Sequence, residues 1–154
     1  MPLPQQLQRI GQPEFSPDRR LLAYRAPESG PGEVYVVDFP DFTHLRQVSR
    51  GSGFDPQWRP GSTELFFLSD DGRALMSARQ KTGSPDFEAP TKVFDLPPSI
   101  DPGRPGWPPF YSVSPDGDRF LMLQNSEDLS PGVQAAKANA MLIENWSEEF
   151  QERK

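Results

Sequence analysis

The chain has 154 residues, a formal net charge of -6 and only 34% hydrophobic residues, and its 19 Pro and 12 Gly make up about a fifth of it. Such a composition belongs either to a disordered tail or to many short elements joined by turns, and 11 Phe, 3 Trp and 3 Tyr exclude the tail, because disordered segments lack large apolar groups. The absence of Cys excludes disulfides, thiolate catalysis and zinc-finger chemistry, the scattered charges argue against a nucleic-acid partner, and no 18-residue apolar run offers a membrane insertion.

At this length one architecture should account for the whole chain. Residues 1–12 open with Met1-Pro2-Leu3-Pro4-Gln5-Gln6, which has neither the charged start nor the apolar stretch of a secretory signal. The stretch Gln6-Leu7-Gln8-Arg9-Ile10-Gly11 resembles the later Leu45-Arg46-Gln47-Val48-Ser49-Arg50-Gly51, so it reads as the outer strand of a neighbouring or closing sheet.

Three segments then align. Phe15-Ser16-Pro17-Asp18, Trp58-Arg59-Pro60-Gly61 and Val113-Ser114-Pro115-Asp116-Gly117 each place an apolar residue two before a Pro, with Leu22 to Tyr24, Leu65 to Phe67 and Phe120 to Met122 seven to nine positions after it. Their spacing is 43 and then 55 residues, in the range of repeat architectures. The Pro presets the first central position of a tight turn, so each unit predicts a hairpin. The strand after the turn is apolar at successive positions, as in Leu65-Phe66-Phe67-Leu68, so both of its faces need covering. A third strand follows in Val34–Val37, Ala74–Met76 and Ala140–Ile143, and a more polar fourth in Leu45–Ser49 and Thr91–Phe94.

Sheets covered on both faces by like neighbours are the blades of a β-propeller, so the expected fold is all-β, with about three four-stranded antiparallel sheets. Residues 13–54 form the first blade, 55–108 the second with a Pro-rich loop, 109–146 the third, and 147–154 a charged tail. The loop Pro97 to Pro109 accounts for the longer second spacing, and an insertion from Glu127 to Lys137 contains a short candidate helical turn. Candidate partner contacts are Arg104 and Trp107 in the Pro-rich loop and Asp71 and Arg73 in the turn Asp70-Asp71-Gly72-Arg73.

These repeats resemble the WD-like β-propeller family typified by the TolB translocation protein, whose repeat carries a Ser-Pro-Asp-Gly turn before an apolar strand. Ser114-Pro115-Asp116-Gly117 matches that turn fully, Ser16-Pro17-Asp18-Arg19 departs at the Gly, and Arg59-Pro60-Gly61-Ser62 keeps only the Pro. The closing Ala140-Met141-Leu142-Ile143-Glu144-Asn145-Trp146 looks like the last blade of propellers that follow bacterial serine/threonine kinase domains. The resemblance covers about Gln5 to Trp146 and implies a propeller that binds a protein or peptide, a periplasmic or extracytoplasmic location, and no shared catalytic residue.

The chemistry-bearing residues are few. His44 is the only histidine, which excludes a metal site built on several His, and with no Gly-x-Ser-x-Gly elbow it reads as a blade-edge residue. Asp70-Asp71-Gly72 lacks the spaced oxygens of a calcium loop, Glu148-Glu149 stand in the tail, and no Gly-rich phosphate loop is present. No catalytic residue, metal or cofactor is expected. The functional expectation is a binding or scaffold module, the alternative being the propeller part of a prolyl-oligopeptidase-like hydrolase. Three blades do not close a ring, so a homodimer completing a six-bladed ring is a further expectation.

Overall fold

The computed structural model describes residues 7, 9–26, 32–100, 109–124 and 139–144. It is all-β in these residues, with three antiparallel sheets in chain order. The first contains β1 (Gly11–Phe15), β2 (Leu21–Ala26), β3 (Glu33–Asp38) and β4 (Arg46–Gln47). The second contains β5 (Gly53–Trp58), β6 (Glu64–Ser69), β7 (Ala74–Arg79) and β8 (Thr91–Asp95), and the third β9 (Tyr111–Val113), β10 (Phe120–Gln124) and β11 (Asn139–Ile143). Each sheet is a meander in which sequence neighbours pair.

The expected repeat is present in register. Phe15 pairs with Leu22, Trp58 with Leu65 and Val113 with Phe120, each pair closing the hairpin around its turn Pro. The turns share one bonding pattern: the N–H of Ser16, Arg59 and Ser114 donates to the carbonyl of Leu21, Glu64 and Arg119 respectively, at 2.9 Å in each case. In the first and third turns the Ser hydroxyl also caps the following strand, accepting from the Leu21 and Arg119 N–H groups. Arg59 replaces that Ser in the second turn and reaches across to Asp118 at 2.5 Å, beside the buried Glu64. Gly117 lies under that crossing with φ +78, where a Cβ would stand 2.7 Å from the Arg59 Nε.

Alternation along β6 explains why it is apolar throughout. Leu65 and Phe67 pack with Leu21, Ala23, Val34 and Val36 of the first sheet, while Phe66 and Leu68 pack with Phe120 and Met122 of the third. Phe66 meets Phe120 edge to face at 5.0 Å, a favoured aromatic geometry. Leu65, Phe67, Phe120 and Met122 are buried between sheets, whereas Leu22 and Tyr24, expected between blades as well, are buried on the far side of the first sheet under Leu7, Ile10 and Phe42.

Three features differ in detail from the sequence reading. The fourth strand of the first sheet is only Arg46–Gln47, and Leu45 is exposed. Phe15 is half-exposed where its equivalent Trp58 is buried, because Phe15 lies on the end sheet and packs on Phe39 rather than between sheets. Leu7, read as part of an outer strand, is in a 3₁₀ turn and packs with Ile10 and Phe42 on the Leu22, Tyr24, Tyr35 and Val37 face, closing that side of the first sheet. The candidate helical turn between Glu127 and Lys137 lies outside the described residues.

Candidate functional site

The first strands of the three sheets do not pair with one another through their backbones, so the space between them is walled and bridged by side chains. It forms an open cleft of about 920 Å³. Gln12, Pro13 and Glu14 of β1, Asp55, Pro56 and Gln57 of β5, Phe110 and Pro109 ahead of β9, Tyr111 and Ser112 of β9, and Leu121 of β10 line it.

Two equivalent bulges shape its wall. The register slips between Gly11 and Glu14 in β1 and between Phe54 and Gln57 in β5. The extra residues are Gln12, with φ +52, and Asp55, with φ +55, each followed by a Pro that has no N–H to offer a ladder. Left-handed backbone at a non-glycine residue costs about 1–2 kcal/mol, so these two positions hold only because their neighbours fix them.

Asp55 is where that fixing converges. Its N–H donates to Gln12 Oε1 at 3.0 Å, its carboxylate accepts from the Phe110 N–H at 2.8 Å, and its carbonyl accepts from the Tyr111 hydroxyl at 3.0 Å. One residue thus ties all three sheets. Gln57 Nε2 donates to the Tyr111 carbonyl and Trp58 Nε1 to the Glu14 carbonyl at 3.1 Å. Gln12 Nε2 is buried without a hydrogen-bond partner.

The electrostatics follow from burial. Desolvation pushes the Asp55 carboxyl up to about 6 against the opposing Phe110 N–H, and the nearby Glu14 carboxylate adds to the rise. Burial raises Glu14 as well, and burial together with both carboxylates lifts the Tyr111 hydroxyl well above its ordinary value. Among the described residues no Lys, Arg or His lines the cleft.

The sequence-derived candidates stand elsewhere. Asp71 accepts from the Ser69 hydroxyl at 2.6 Å and from the Arg73 N–H at 2.9 Å, which holds its carboxyl below the usual range and makes it a turn residue first. It also borders a smaller hollow of about 310 Å³ with Arg50, Ser52 and Phe67. Arg73 is exposed, and its carbonyl accepts from the Leu96 N–H at 2.7 Å. Arg104 and Trp107 lie outside the described residues. His44 lies in the β3–β4 connection with Nδ1 2.7 Å from Asp38. Among the described residues no group of three or more His, Asp or Glu is placed to hold a metal ion, and no helix is long and apolar enough to cross a membrane. Gln12, Glu14, Asp55, Gln57 and Tyr111 were not singled out by their chemistry. The available signal was the X-Pro pair at the same place in two repeats, Gln12-Pro13 and Asp55-Pro56.

The fold is that of part of a β-propeller, and it is similar to the propellers of TolB and of several enzymes. Putative TolB from Agrobacterium tumefaciens superposes with a TM-score of 0.59 at 16% identity, over 89% of this chain and 45% of that one. Oligogalacturonate lyase from Vibrio parahaemolyticus gives 0.56 at 13% identity, over 85% and 35%, and acylaminoacyl peptidase from Pyrococcus horikoshii 0.54 at 15% identity, over 88% and 23%. The chain therefore spans less than half the length of these structures. No family model and no curated protein sequence matches it.

Proposed function

We propose that the chain is a non-catalytic binding module, part of a bacterial TolB-like or kinase-linked sensor protein, whose cleft along the first strands takes a protein or peptide partner. The cleft carries this reading. Its volume falls in the range of about 300–1,000 Å³ usual for ligand sites, and it joins an apolar wall of Phe110, Pro56 and Leu121 to a few polar groups, Glu14, Gln57 and Ser112. Selection of a displayed peptide library on the chain tests it. Peptides retained by the parent chain should bind at least about tenfold more weakly to Ser112→Trp, whose indole fills the cleft from an exposed position on β9. Failure to select any peptide, or equal binding to Ser112→Trp, overturns the reading.

A second reading is supported by the likeness to acylaminoacyl peptidase. In it, the blades belong to the propeller of a prolyl-oligopeptidase-like hydrolase and gate a separate catalytic domain. A flanking reading frame that encodes a Ser elbow selects this alternative, and one that encodes a kinase or transport module selects the first.

A further inference from the structure

The charges of the cleft are all of one sign. Asp55 is 1% exposed, and its carboxylate accepts one hydrogen bond, from the Phe110 N–H to Oδ2. Among the described residues Oδ1 has no partner. The nearby Glu14 carboxylate, exposed on β1, repels it, and among the described residues the lining holds no Lys, Arg or His to offset the pair. A buried charge without a counter-ion is costly, and a neighbour of the same sign adds to that cost. The third titratable group packed here, the Tyr111 hydroxyl, donates to the Asp55 carbonyl and brings no positive charge.

A second group at the same place lacks a partner. The Gln12 amide is fixed through Oε1, which accepts from the Asp55 N–H, so Nε2 lies beside Asp55 in the cleft wall, buried and without a hydrogen bond. Donor and acceptor stand together, and an occupant that satisfies both brings a carbonyl oxygen and a positive charge. An extended peptide carries a carbonyl at every residue, and Lys or Arg supplies the charge. A bare divalent cation would leave Nε2 as it is, and among the described residues no third His, Asp or Glu joins the two carboxylates in a metal site.

We propose that the cleft selects a peptide with a basic residue, whose ammonium or guanidinium group sits between Asp55 and Glu14 while a neighbouring peptide carbonyl accepts from Gln12 Nε2. The proposal rests on the reading of the cleft as a peptide site and gives that site its specificity. Pro13 and Pro56, next to Glu14 and Asp55 in the chain and part of the same lining, offer the methylene stem of Lys or Arg an apolar surface. The net charge of -6 draws such a partner in from a distance.

A pH dependence of definite sign follows. Lys and Arg stay charged between about pH 5 and 7.5, and so does the neutral state of Tyr111, whereas Asp55 titrates at about 6 and burial raises Glu14 as well. The basic group needs the carboxylates ionised, so binding weakens as pH falls through that range.

Selection of a displayed peptide library on the chain, followed by fluorescence titration of one retained peptide, tests this. Retained peptides should carry Lys or Arg at a shared position. Replacing that residue by norleucine, which keeps the stem and drops the charge, should weaken binding about tenfold at about pH 7.5. The basic peptide should bind about tenfold more weakly at about pH 5, and Asp55→Asn should remove most of that difference. Glu14→Gln should weaken the basic peptide about threefold and leave the norleucine peptide unchanged. Because it alters an exposed side chain, it decides alone if Asp55→Asn disturbs the bond to Phe110. Retained peptides that lack a basic residue, yet are lost from Ser112→Trp, overturn this proposal and leave the peptide site standing. Equal binding of the norleucine peptide, no loss at about pH 5, or a Glu14→Gln chain that weakens both peptides alike also overturns it. A library that yields no peptide overturns the peptide site and this proposal together.

Discussion

The N–H of Asp55 donates to Oε1 of Gln12 at 3.0 Å, so the two left-handed bulge residues of the first and second sheets hold one another in place. Their side chains do what a backbone ladder does inside a sheet, and the stability of the cleft wall depends on a few groups.

Asp55 should make stability pH-dependent in a known direction. Its carboxyl titrates at about 6 in the fold against 3.8 otherwise, so the folded chain binds that proton more tightly than the unfolded one. Through this group the fold gains stability as pH falls from about 6 to about 4. Asp18, Asp71 and Asp116 have lowered values and act oppositely, losing their contribution below about 4. Asp55→Asn keeps an acceptor for the Phe110 N–H and removes the charge. At neutral pH it should be more stable than the parent by up to about 3 kcal/mol, and the difference should vanish towards pH 4. Urea unfolding of both chains at several pH values measures it. A constant difference across that window contradicts the burial of Asp55.

Gln12→Ala should destabilise by about 1–3 kcal/mol, because the buried Asp55 N–H loses its acceptor. Gln12→Gly loses the same acceptor but relaxes the positive φ, so it should cost about 1 kcal/mol less than Gln12→Ala. Thermal unfolding of the pair separates the bond from the backbone strain.

Phe67 is buried between the first and second sheets, and Phe67→Ala should cost about 3–5 kcal/mol in urea unfolding. A loss below about 1 kcal/mol is incompatible with the stacked sheets.

Gly117→Ala and Gly61→Ala form a matched pair. Both glycines have positive φ, but a Cβ at Gly61 meets nothing within 4 Å while one at Gly117 meets the Arg59 side chain. Gly61→Ala should cost about 1 kcal/mol, the backbone penalty alone. Gly117→Ala should cost more, and it should also remove the coupling between Arg59 and Asp118 in a double-mutant cycle.

The stacked sheets were legible because their cause is periodic. A turn Pro two residues after Phe15, Trp58 and Val113 and the apolar runs behind it are local signals, and they place the hairpins and the buried rows in register. The cleft was not legible for the opposite reason. Asp55 and Phe110 are far apart in the chain, their bond depends on a bulge that one X-Pro pair announces only faintly, and nothing in the sequence separates Asp55 from an ordinary loop aspartate. Asp71 drew attention as an exposed acid on a loop, yet Ser69-Asp70-Asp71-Gly72 repeats the hydroxyl-to-carboxylate geometry of Ser16 with Asp18 and Ser114 with Asp116. That is a hairpin's local chemistry, used three times.

The bulges and bridges between first strands carry one more consequence. Every group that lines the cleft as a side chain stands outside the ladders that define the three sheets. Substitutions at Glu14 and Ser112 therefore change the lining of the cleft and leave each meander's hydrogen bonding as it was. Gln12, Asp55 and Gln57 line the same cleft but also join one sheet to the next, so a change at any of them alters the wall's shape and the seam between meanders together.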